Sequence, residues 1–363
     1  MRRIVSLLAC SLAAPMAQAA GPSLSDVLVN SGISVAGHAS GSYTLGFNKG
    51  QTLALRAFDT ESDSFTFNQA WLNVGYQPSD GFGGVATLMA GSDASAVNAS
   101  YGAGSSDFSL VQGFAQYASG NFTLMAGRFV TLSGFEVIDD TANTNISRSL
   151  LFQNAEPLVH TGVRSSFKAG PATFYLGASN SALAGTVADN NKEKTGEFGV
   201  SLAPTSNFSI SAYDYYGIDP NGKNNLLDVV MALQATPMLQ LALNADWARF
   251  IGAGSTVAGI AAYANVTWSD SFKTSLRGEY VRFTNVFAAD PDNECPNSSG
   301  KCNVYEVTLT GDYSATKNFD VLVEGRIDTA KGKIFPNGSD PAKKSQPDVA
   351  IKAIYKFGTP SGS

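Results

Sequence analysis

Two-residue alternation, repeated along almost the whole chain, is the feature that most limits what this sequence can fold into. In 272–283, FKTSLRGEYVRF, Phe272, Thr274, Leu276, Gly278 and Tyr280 share one parity, while Lys273, Ser275, Arg277 and Glu279 take the other. Successive side chains of a strand point to opposite faces, so such a segment reads as a strand with one oily and one polar face. The pattern recurs in 33–47, where Ile33, Val35, Ala39, Tyr43, Leu45 and Phe47 oppose Ser34, His38, Ser40, Ser42 and Thr44. It returns in LDVVMALQA from Leu227, in LQLALNADWARF from Leu239 and in FDVLVEGRID from Phe319. Each segment runs about ten residues, the length a tilted strand needs to cross a bilayer. Beyond the first twenty residues no stretch approaches the roughly 18 apolar residues of a membrane-spanning helix, and no helix longer than two turns is expected.

The connections alternate as well. Short ones rich in turn formers (QPSDG at Gln77, SGN at Ser119, PTSN at Pro204, SATKN at Ser314) are separated by longer polar stretches at 48–63, 91–107, 133–157, 180–194, 284–303 and 329–346. Long alternating with short is the plan of an outer-membrane barrel, with short periplasmic turns and long external loops. The segments number about 16, an even count that suits a closed antiparallel barrel; segments 82–90 and 208–215 leave 14 or 18 open. A large soluble sandwich or propeller would have to bury one of the two faces in a dry core. Unpartnered polar groups there cost about 1–3 kcal/mol each. A water-filled interior removes that cost, so Lys273, Arg277 and Glu279 are expected to point inward and the apolar parity to meet lipid.

The first nineteen residues read as a secretory leader: Arg2 and Arg3, an apolar run from Ile4 to Ala14, and Ala17-Gln18-Ala19 before the cleavage point. The expected organisation is a leader at 1–19, a periplasmic lead-in at 20–32, a barrel at 33–357 and a tail at 358–363. Cleavage removes Cys10 and leaves Cys295 and Cys302, an even pair in an exported chain, which reads as a disulfide closing a short loop. Removing Arg2 and Arg3 takes the net charge from −6 to −8, the wrong sign for a nucleic-acid binder.

Residues 107–167 carry Ala126-Gly127-Arg128-Phe129, Gly134-Phe135-Glu136, Ser147-Arg148-Ser149, Glu156-Pro157 and His160-Thr161-Gly162 in that order. Leu276-Arg277-Gly278-Glu279-Tyr280, Glu324-Gly325-Arg326 and Tyr355-Lys356-Phe357 follow further on. This order resembles the β-barrel porin-2 (OmpL-like) family over nearly the whole chain after the leader. The closing strand VAIKAIYKF departs from a terminal phenylalanine, because GTPSGS follows it. The resemblance implies a porin in the outer membrane of a Gram-negative bacterium, in contact with outer-membrane lipid and lipopolysaccharide. It permits a homotrimer, for which Leu227, Met231, Leu241 and Ile260 would supply outward apolar surface.

The expected function is therefore a diffusion channel for small hydrophilic solutes or ions. Sixteen strands leave an aqueous bore, whereas eight fill with side chains. The alternative from another class is a non-conducting barrel that serves as adhesin or anchor through its external loops. No enzyme, cofactor or metal is expected. His38 and His160 are the only histidines, GHASG at Gly37 is not a nucleophile elbow, and DPDNE at Asp290 lacks calcium-loop spacing. The selectivity site is expected in the loop 133–157. Its Phe135, Val137, Ile138, Leu150, Leu151 and Phe152 are unfavourable in water, at about 25 cal/mol per Å², which argues for a loop folded into the bore. Glu136, Asp139, Asp140, Arg148 and Glu156 would then sit near the centre. Arg128, His160, Arg164, Arg277 and Arg326, with Glu279 and Glu324, would face them from the wall as fixed charges biasing which ions pass.

Overall fold

The computed structural model describes residues 28, 30–100, 102–183, 192–219, 222–288 and 294–358. The expected leader, most of the lead-in, the tail beyond 358 and Asp290 lie outside the described residues. Sixteen strands follow one another: β1 (Ser34–Gly46), β2 (Ser64–Tyr76), β3 (Asp80–Ala90), β4 (Phe108–Ser119), β5 (Phe122–Val130), β6 (Val159–Ala169), β7 (Ala172–Ser179) and β8 (Thr195–Thr205) in the first half. The second half holds β9 (Phe208–Asp219), β10 (Gly222–Gln234), β11 (Leu239–Phe250), β12 (Ser255–Ser269), β13 (Phe272–Thr284), β14 (Lys301–Thr316), β15 (Phe319–Ala330) and β16 (Ser345–Gly358). Each strand pairs antiparallel with its sequence neighbours, and β1 pairs with β16 from Ala36↔Gly358 to Gly46↔Asp348, which closes the barrel. Closure leaves no unpaired edge, the condition for a sheet to stand in hydrocarbon.

Alternation sorts the side chains as the sequence predicts. Along β13, Leu276 is exposed while Ser275, Arg277 and Glu279 are buried within. Leu227, Leu241 and Ile260 are exposed on the outer wall. Exposed aromatics gather at both strand ends: Tyr117, Phe122, Phe167, Phe174, Trp268 and Phe272 beside the short turns, and Phe47, Phe65, Phe108, Tyr216, Trp247 and Tyr305 toward the loops. Two such rings are the girdles of a membrane-spanning barrel, placed where amphipathic rings meet the lipid headgroups.

Three expectations are corrected. Residues Ser92–Ser100 form a nine-residue helix, longer than two turns. Its small residues carry no helical stripe; the helix is stabilised by docking Ala94 and Val97 against Trp71, Met89 and Val111. The long-short rhythm also fails between β9 and β12: β9 ends at Asp219 and β10 begins at Gly222, and residues 251–254 make a short connection on the same side. Finally, the inward parity is not polar throughout. Toward the loops Val281, Phe283, Leu226, Ala248, Val257 and Val304 face in and form a buried cluster with Leu150, Leu151 and Phe335, while Arg282 lies exposed on the outer parity. Loops folded into the mouth give these inward apolar side chains a partner that water would not supply.

Candidate functional site

The connection 131–158 lies inside the barrel, where its free backbone donors meet inward carboxylates. Leu150 and Leu151 donate N–H bonds to Glu279 of β13 at 2.7 and 3.3 Å, and Ile146 and Ser147 donate to Glu324 of β15 at 2.7 and 3.0 Å. The first two open the short helix Leu150–Asn154, whose cap Ser149 Oγ accepts from Phe152 N. Helix starts leave N–H groups without internal partners, so a carboxylate there meets a real need. Arg277, wholly buried, donates to Glu136 at 2.6 Å, to the Ser147 carbonyl at 2.8 Å, and to both oxygens of Glu306 at 3.1 and 3.3 Å. Arg326 donates to the Arg148 carbonyl at 2.6 Å.

A second set of contacts holds residues 138–141. Asp140 accepts from Ser40 (2.6 Å), Arg148 (3.0 Å) and Lys352 of β16 (2.9 Å). Burial alone would raise its pKa, but Lys352 and Arg148 hold it well below the usual carboxylate range. Gln69 of β2 links three elements: it donates to Asp93 of the Ser92–Ser100 helix and to the Ile138 carbonyl, and accepts from Asp140 N. Asp93 is pushed up to about 6 by burial and by the charge of Asp140. The 47–63 connection also folds in: Arg56 pairs with Asp59, Asp328 and Asp348, and Phe58 packs edge-on against Phe152.

Between the inserted connection and the β1–β4 wall a cavity of about 560 Å³ remains, lined by His38, Trp71, Gln112, Val137, Asp139 and Lys356 among others. Val137 is exposed to it, and Asp139 Oδ1 lies 3.6 Å from His38 Nδ1. Lys356 of β16 pairs with Asp320 of β15 at 2.5 Å.

Most of the predicted charged residues thus converge, in direct contact and not across an open gap: Glu136 with Arg277, Asp140 with Arg148, Glu324 and Glu279 with loop amides. His160 and Arg164 face in from β6; His160 stacks on Tyr215, and Arg164 forks onto Glu197 at 2.6 Å while lying over the Phe129 ring. Arg128 stands across from Gly113 and Thr161, with its Nε and Nη2 buried. Glu156 stands apart, beside Asp228 and Asp246. Sequence reading missed Glu306, Glu197, Lys352, Gln69 and Arg56; Glu306 stands across from Glu279, which it did name, and Arg56 lies in a connection without a periodic signal.

A family model described as "Putative beta-barrel porin-2, OmpL-like" matches residues 32–357. The chain belongs to this porin family. No curated protein matches it at a significant level. Solved structures similar to this family member include the anion-selective porin from Comamonas acidovorans (13% identity, covering 90% of this chain and 99% of that one, TM-score 0.62). The outer membrane channel DcaP of Acinetobacter baumannii is similar too, at 11% identity, 90% and 97% coverage and TM-score 0.61. So is a trimer form of OmpT of Vibrio cholerae, at 13% identity, 90% and 99% coverage and TM-score 0.60. At these identities the likeness is one of fold. The Cys295–Cys302 disulfide joins the inward side of the 285–300 connection to β14.

Proposed function

We propose that this porin-family barrel is a passive channel of the outer membrane for small hydrophilic solutes or ions, narrowed by the inserted 131–158 connection. The observation that carries the reading is the cavity beside that connection, lined by His38, Asp139 and Lys356 together with Trp71 and Val137. Fixed charges of both signs at a narrowing bias which ions pass. Export by the 1–19 leader and assembly as a homotrimer, as in the trimer form of OmpT, fit the same reading. Apolar outer-wall residues such as Leu227 and Leu241 suit lipid and a neighbouring barrel alike.

One observation favours a second reading, a non-conducting barrel acting as anchor or adhesin: the apolar cluster around Phe283, Phe335 and Leu150 fills part of the mouth. Planar-bilayer recording of the purified protein separates the two. Stepwise conductance supports the channel; a silent barrel with intact loops sinks it.

A further inference from the structure

Glu156, Asp228 and Asp246 each offer a carboxylate oxygen, and these oxygens lie within 4.8 Å of one another. All three residues are buried, and among the described residues none of them pairs with Lys or Arg. In the β10–β11 hairpin Asp228 stands directly opposite Asp246. Like charges in that position repel, and three clustered carboxylates cannot all ionise without a counter-charge.

A second observation points to what supplies that charge. Asn244, 1% exposed, donates its amide to Glu156 (3.0 Å) and Asp246 (2.8 Å), while its Oδ1 has no partner. The two orientations of such an amide are set by its surroundings, and the other one turns Oδ1 toward the carboxylates. Glu156 Oε2, Asp228 Oδ1 and Asp246 Oδ1 are likewise without hydrogen-bond partners. The loop is shaped around the cluster: Gly134 N donates to Asp228 at 3.2 Å, and at φ 90° a β-carbon on Gly134 would collide with Glu156 Oε2.

We propose that Glu156, Asp228, Asp246 and Asn244 bind one calcium ion, which fastens the inserted loop to the barrel wall. The donors are all oxygens, the set a hard cation selects. Calcium–oxygen distances of about 2.3–2.6 Å put ligands on opposite sides of the ion roughly 5 Å apart, which matches the spread of these oxygens. Waters complete a coordination of about six to eight. Magnesium, with shorter bonds and a stricter octahedron, fits the spread less well.

The test uses the full chain refolded in detergent without lipopolysaccharide, stripped with chelator and equilibrated with radioactive calcium alone. The wild type is expected to bind one equivalent, and Asp228→Asn/Asp246→Asn to bind at least tenfold more weakly. Calcium should raise the melting temperature of the wild type and leave that of the variant unmoved. Stripped of calcium, the variant should melt no lower than the stripped wild type, because its like-charge repulsion is gone. If the double variant does not refold, Glu156→Gln, a loop change outside the wall, makes the same comparison. A wild type that takes up no calcium, or no more than its variant, overturns the proposal. Binding is read without any current, so its outcome is independent of the channel reading.

Discussion

Replacing Arg277 by Met keeps the length of the side chain and removes its charge, which tests whether ion pairing holds the loop in the bore. Arg277 makes six hydrogen bonds: two to Glu306 and one each to Glu136, the Ser147 carbonyl, Ser147 Oγ and Thr308. Its removal leaves Glu136 and Glu306 buried without their main cation, although Arg326 stays 3.8 Å from Glu306. Breaking a buried pair by deleting one partner costs about 3–5 kcal/mol. β13 and β14 remain paired from Phe272↔Tyr313 to Thr284↔Lys301, so the barrel need not unfold to relieve the cost. The easier relief is release of the loop, which returns Glu136 to water. At about 1.4 kcal/mol per factor of ten, the docking equilibrium shifts by roughly two to three and a half orders of magnitude. The expected readouts are larger, noisier single-channel currents and trypsin cleavage at Arg148, which is shielded when docked. Arg277→Lys, which keeps the charge but not the fork, should fall between. If Arg277→Met keeps both wild-type conductance and protease resistance, ion pairing does not hold this loop.

Two further outcomes follow from the same geometry. Asp139 is partly exposed at the cavity beside His38, so Asp139→Asn should shift the reversal potential in a salt gradient toward anions with conductance nearly unchanged; an unmoved potential removes Asp139 from the ion path. Asp93 has its pKa raised from 3.8 to about 6 in the fold, so between those values the docked helix binds the extra proton and docking strengthens as pH falls through about 6. Hydrogen exchange over 92–100, corrected for intrinsic rates, should show more protection at pH 5 than at pH 7.5, and Asp93→Asn should abolish the difference; equal protection in the wild type refutes the assignment.

Why the wall was legible and the mouth was not has a physical reason. A strand's facing is set by its own parity, so FKTSLRGEYVRF alone places Leu276 outward and Arg277 inward. That rule holds only while the inside is wet. At Val281 and Phe283 the inside is dry, because Leu150, Leu151 and Phe335 arrive from distant connections, and no local pattern announces them. The Ser92–Ser100 helix was hidden for the same reason: its stability comes from Trp71 and Met89.

The loop's apolar residues did signal insertion, but not its anchors, because those are backbone amides seeking carboxylates. Glu279 and Glu324 look like any inward charges until Leu150 N and Ile146 N are placed against them. The acidic cluster is the instructive intermediate case. Once the turn between β10 and β11 is located, hairpin geometry sets Asp228 against Asp246 and Val230 against Asn244. An opposed pair of inward aspartates was therefore within reach of the sequence, and its unfavourable repulsion already asks for a counter-charge. What the sequence could not supply is the third carboxylate, since Glu156 arrives from 72 residues upstream of Asp228 on a connection whose path is fixed by Arg277, Glu279 and Glu324. The loop's anchors thus decide where Glu156 falls, and Glu156 in turn decides whether that repulsion is relieved by a bound cation or left as a strain on the docked loop.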